Sequence, residues 1–211
     1  MPKQLFFSFL RGASHPQELA AAALEHGYTA LAITDECSLA GVVRAHGAIK
    51  EIEAKVHAAI EAARLAGQPL PDKPTLKLII GTELHLTDAD GEPFCTLVAL
   101  ATNREGYGNL SELISLARSR SPKGTYRLGP EDFTDPAASS DATDATDLRG
   151  DIAHLKHLPG CLLILVPQRA ATLADTLDRA HWLAGFAAGR AWLALELCRT
   201  AATTSVSPHA A

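Results

Sequence analysis

Three things are scarce in this 211-residue sequence: excess basic charge, paired cysteines and long apolar runs. Lys and Arg number 19 against 24 Asp and Glu, for a formal net charge of −5, and the basic residues are scattered. A domain that grips nucleic acid unaided gathers positive charge on one face, so independent DNA binding is disfavoured. The four cysteines, Cys37, Cys95, Cys161 and Cys198, form no CxxC pair. That excludes a zinc ribbon and argues for reduced thiols. Cys95 and Cys161 lie in apolar runs and read as small core residues. No apolar run approaches the length that spans a bilayer. The opening Met1-Pro2-Lys3-Gln4-Leu5 has too little charge and too short an apolar core for a signal peptide, so a cytoplasmic protein is expected.

What is present is an ordinary globular composition, 47% hydrophobic and 20% charged, long enough for one substantial domain or an unequal pair. Residues 5–10 are apolar and suit a first strand. Ser14-His15-Pro16-Gln17 has capping-box spacing, so a helix is expected to about residue 26, with Gly27 as its C′ residue. Residues 28–33 form a buried strand, which completes a parallel, right-handed βαβ unit. A long helix follows from Leu39, with Val42, Val43, His46, Ile49, Ile52, Val56 and Ile60 as its apolar stripe. Prolines 69, 71 and 74 stop it. A strand at 75–80 comes next. Asp88-Ala89-Asp90-Gly91 is a hairpin signal that pairs 84–86 with 94–101. A helix opens at Gly106, with Leu110, Leu113, Ile114 and Ala117 on one face. Residues 135–150 are rich in Asp, Ala, Ser and Thr and read as a disordered surface loop. Structure resumes at 151–158, then a strand at 161–166, a helix over 172–188 and a last strand at 192–197. The expected class is α/β with mostly parallel strands. No covering helix follows the final strand, so the fold reads as truncated, with 199–211 as an unstructured tail.

Two acids follow apolar runs, Asp35 after Leu31-Ala32-Ile33-Thr34 and Glu83 after Leu78-Ile79-Ile80-Gly81-Thr82. In α/β folds, ligands gather at the carboxyl ends of strands, and two acids there are what a divalent-cation site needs. His85 alternates with Glu83 across Leu84, so both point to one face. Asp35, Glu83 and His85 are therefore the candidate metal ligands. Each also has a structural reading. Asp35 can cap the next helix through backbone N–H groups, which is favoured while partner ligands are missing. Glu83 can be a strand-edge charge and His85 part of a solvated strand face. His46 reads as a partly buried, hydrogen-bonded histidine. His154 and His157, three apart, could chelate, yet nothing nearby completes a site. Asp88-x-Asp90-Gly91 lacks the later glutamate of a calcium loop and is a turn. Trp182 and Trp192 are core or interface candidates.

The runs Phe9-Leu10-Arg11-Gly12-Ala13-Ser14-His15-Pro16 and Ala32-Ile33-Thr34-Asp35-Glu36-Cys37-Ser38-Leu39-Ala40-Gly41 resemble the N-terminal region of bacterial error-prone DNA polymerases. Gly81-Thr82-Glu83-Leu84 and Gly106-Tyr107-x-Asn109-Leu110 match the same region in order. The resemblance implies a polymerase-and-histidinol-phosphatase (PHP) domain over 1–198, an incomplete, distorted (β/α)7 barrel. It also implies a divalent metal (manganese, zinc or magnesium), with Asp35 and Glu83 at the acids of the second and third metal motifs. The departures are specific. Pro2 and Gln4 stand where a His-x-His motif would be, Glu36 replaces a histidine, and the late Asp-x-His and the polymerase palm are absent. Three functions are therefore expected to compete. The first is a polymerase-derived domain without catalysis of its own, whose parent meets DNA and replication or repair proteins. The second is a stand-alone phosphoesterase with metal at Asp35, Glu83 and His85. The third is a non-enzymatic module whose unfinished barrel edge is covered by a partner.

Overall fold

The computed structural model describes residues 4–5, 14–71, 75–134, 154–168 and 171–195. Most of the expected first strand, the 135–150 loop and the 199–211 tail lie outside the described residues. The described elements are β1 (Gln4–Leu5), α1 (Pro16–Glu25), β2 (Ala30–Glu36), α2 (Ala40–Leu65), β3 (Lys77–Thr87), β4 (Pro93–Ala101), α3 (Arg104–Ser119), β5 (Cys161–Val166), α4 (Leu173–Phe186) and β6 (Ala191–Leu193). The strands form one sheet in sequence order. Pairs β1–β2, β2–β3 and β5–β6 are parallel, while β4 runs antiparallel to both of its neighbours. The reversal at β4 follows from the expected tight turn. Asp88 Oδ1 accepts from the N–H groups of Asp90 and Glu92, and Gly91 takes φ +86°.

Strand pleating divides the side chains into two faces. On one, Leu31 and Ile33 pack with α1 (Leu19, Ala20, Ala23) and α2 (Val42, Ala45, Ile49). Further along that same face, Leu84, Leu86, Leu97 and Leu165 pack with α3 (Leu110, Leu113) and α4 (Leu183). Each fully buried leucine there contributes ~1.5–3 kcal/mol. The opposite face carries Glu36, Glu83, His85, Val98 and Ile164; neither hydrophobic cluster of the described residues sets a helix against it, although Val98 and Glu83 there are buried. Helices on one face of a partly parallel sheet give the α/β class that the sequence implied.

Four expectations need correction. Thr75–Ile80 and the hairpin strand are one continuous strand, β3, so Glu83 lies in mid-strand. The N-cap of α1 is His15, not Ser14, and Glu18 Oε2 accepts from His15 N at 2.7 Å. Pro16 thereby takes N1, where its missing N–H costs nothing. α3 starts at Arg104, two residues before Gly106, because Asn103 caps it by accepting from Gly106 N at 2.8 Å. On α2 the buried stripe is Val42, Ala45 and Ile49, continued by half-buried Ile52, Val56 and Ile60. His46 and Val43 fall off that stripe and are exposed, so His46 is not partly buried.

Cys95, Cys161 and Trp182 follow their sequence reading, whereas Trp192 on β6 is exposed and not a core ring. Burial pushes the thiols of Cys95 and Cys161 up to about 12. Trp182 is a core ring, edge-on to Phe94 at 5.2 Å and to Phe186 at 5.1 Å. Arg190 ties the turn before β5, donating to the carbonyls of His157, Leu158 and Cys161. His157 and Leu158 in that turn both have positive φ.

Candidate functional site

Asp35 and Glu36 are adjacent at the end of β2 and point to opposite faces. The register sets this, with Asp35 opposite Thr82 and Glu36 opposite Glu83. Asp35 therefore shares the helix-covered face with Ile33, and its Oδ2 accepts from Gly41 N, at the start of α2, at 2.7 Å. Gly41 suits this contact because a Cβ there would lie 2.6 Å from the same oxygen. Asp35 Oδ1 is buried and has no hydrogen-bond partner among the described residues. Burial raises the carboxyl's pKa, and the Gly41 bond only partly offsets it.

The loop that follows is pinned to β3. Thr82 Oγ1 donates to Asp35 O at 2.8 Å and accepts from Ser38 N at 3.2 Å. Cys37 N donates to Glu83 O at 2.8 Å. Cys37 adopts φ 43°, and Arg118 of α3 donates twice to its carbonyl, at 3.0 and 2.8 Å. Burial pushes the Cys37 thiol up to about 11, with Arg118 opposing.

On the other face Glu36 and Glu83 are the last register pair of the parallel ladder. His85 Nε2 lies 2.7 Å from Glu83 Oε1 and 4.0 Å from Glu36 Oε1. Past the end of β2, residues 126–128 take its place beside β3. His85 N donates to Tyr126 Oη at 3.1 Å, and Thr87 N donates to Leu128 O at 2.9 Å. Tyr126 in turn donates to Glu36 Oε1 at 3.2 Å. Burial raises the Tyr126 phenol well above its usual value, with Glu36 adding to the rise.

The structure thus brings Glu83 and His85 together and places Asp35 on the opposite face. Among the described residues, no group of three His, Cys, Asp or Glu side chains is placed to hold a metal ion. The named donor set does not fit one ion in this arrangement. Two members of the open-face cluster escaped sequence reasoning. Glu36 joins Glu83 only through the β2–β3 register, and Tyr126 carries no local signal because it arrives from 90 residues away. The two other histidines separate. His154 meets Glu112 at 2.9 Å, and His157 stacks on Phe186 at 5.8 Å.

The model of the PHP domain matches residues 5–182. This chain belongs to the PHP domain family. It is 44% identical over 208 residues to an error-prone DNA polymerase of Bordetella parapertussis, covering 97% of this chain and 16% of that protein. It is also 44% identical over 191 residues to the error-prone DNA polymerase of Ralstonia nicotianae, covering 90% of this chain and 15% of that protein. The chain therefore spans about one-sixth of the length of these relatives. A structure from Bifidobacterium adolescentis, provisionally described as a metal-dependent phosphoesterase, aligns over 91% of this chain and 74% of that one. Its TM-score is 0.43 and its sequence identity 18%. No helix among the described residues is long and apolar enough to cross a membrane.

Proposed function

We propose that this chain acts as a non-catalytic PHP domain, a scaffold and interaction surface of the kind an error-prone DNA polymerase carries. The observation that supports this is the match of 97% of the chain to only 16% of the Bordetella enzyme. Two-metal nucleotide transfer needs carboxylates grouped around the primer hydroxyl and the leaving pyrophosphate. The open-face acids are engaged otherwise, Glu83 with His85 and Glu36 with Tyr126. DNA and replication or repair proteins would be met through the rest of such a polymerase. The purified chain is expected to give no primer-extension product, and extended primer contradicts the reading. Added to a Bordetella polymerase that lacks the matching segment, it is expected to raise that protein's melting temperature. No rise contradicts the scaffold role.

A metal-dependent phosphoesterase is the second reading, favoured by the meeting of Glu83 and His85 where the parallel ladder ends. It puts a manganese, zinc or magnesium ion among Asp35, Glu83 and His85, which requires Asp35 to leave Gly41 and change face. Chelator-sensitive phosphate release from p-nitrophenyl phosphate would support it, and no release contradicts it.

A further inference from the structure

We infer that His85 fills the position between Glu36 and Glu83 that a bridging cation would need, so that the chain closes its open-face acid pair from within. This rests on the non-catalytic reading above and says how the fold meets the cost of that pair without a metal ion.

The two carboxylates are neighbours in register at the end of the β2–β3 ladder and point to the same face. Like charges placed directly across a sheet destabilise it unless something stands between them. The strand pleat delivers His85 to that place, two residues beyond Glu83 on the same face. Its Nε2 meets Glu83 Oε1 at 2.7 Å and comes within 4.0 Å of Glu36 Oε1. Metal–carboxylate bonds are ~2.0–2.6 Å. An ion shared by both acids would therefore have to expel the imidazole nitrogen from the space it holds. Tyr126 closes the arrangement. Its hydroxyl donates to Glu36 Oε1 and accepts from His85 N, which holds the third side of the cluster to the backbone that carries the histidine.

The test is thermal melting at one fixed pH in EDTA, then in millimolar manganese, for the wild-type chain and His85→Ala. The wild type should melt at the same temperature in both buffers. His85→Ala should melt about 2–4 °C lower in EDTA and recover in manganese, because two uncovered carboxylates now take the ion. Manganese stabilisation of the wild type that His85→Ala abolishes would make His85 a metal ligand and overturn the inference. A His85→Ala variant as stable as the wild type, with no response to manganese, would overturn it as well. If His85→Ala does not fold, Glu83→Gln/His85→Ala decides. With one acid gone, the double variant should fold, melt close to the wild type and ignore manganese. Its failure to fold would show that His85 serves packing and not the acid pair. Primer extension by the wild type would sink the non-catalytic reading without moving these shifts. Manganese stabilisation of the wild type would sink the inference and leave that reading standing.

Discussion

Alternate residues of the same strands build the two faces of this sheet, yet the faces do different work. On the covered face, Leu31, Ile33, Leu84, Leu97 and Leu165 lie under four helices, and even an acid is drawn into structure there. Asp35 spends one oxygen on Gly41 at the start of α2. On the open face, acids gather with an imidazole and a phenol at the end of the ladder. The side of the pleat on which a carboxylate falls decides whether it caps a helix or joins a polar cluster. Asp35 and Glu36, neighbours in sequence, fall on different sides.

The comparison breaks most readily in the core. Leu97→Ala on the covered face should cost ~2–5 kcal/mol by urea denaturation, since the leucine is fully buried. Ile164→Ala removes a similar volume from the same sheet on its open face, where the side chain is only half-buried. It should cost less than half as much, and equal losses would refute the division into faces. The second test uses two glycines of α2. Gly41→Ala places a methyl 2.6 Å from the Asp35 carboxylate and should destabilise by ~1–3 kcal/mol. Gly47→Ala has nothing within 4 Å and should stabilise by ~1 kcal/mol, as alanine does in a helix interior. Measured by the same denaturation, equal signs would contradict the Asp35–Gly41 contact.

The smallest effect concerns pH. Burial raises the Asp35 pKa in the folded chain, so the folded state holds its proton more tightly than the unfolded one. Stability from this group is complete below the ordinary carboxylate pKa. It falls as pH rises from there through the folded value, then levels off. Asp35→Asn should flatten that part of the stability–pH curve, and an unchanged slope would contradict the burial of its carboxyl. Denaturation midpoints across the acid range would show it.

Much of the fold was legible because its signals are local. The βαβ start, the Asp88–Gly91 turn and the helices α2 and α4 follow from periodicity, caps and turn residues. The resemblance carried by the Asp35 and Glu83 motifs led to the right family. The assembly of the site was less legible because it depends on phase. A one-residue difference separates the face of Asp35 from that of Glu36, and only the register with β3 reveals which one meets Glu83. His46 failed for the same reason on a helix, one position away from the buried Ala45. Tyr126 on Glu36 and Arg118 on the Cys37 carbonyl are long-range contacts that no window of sequence displays.

The most direct test of this division is elemental analysis of the purified chain after incubation with manganese or zinc and desalting. With Asp35 committed to Gly41 and Glu83 to His85, the account predicts no stoichiometric metal. One retained ion per chain that disappears in Asp35→Asn would contradict it, for it would mean that Asp35 and Glu83 share a site after all.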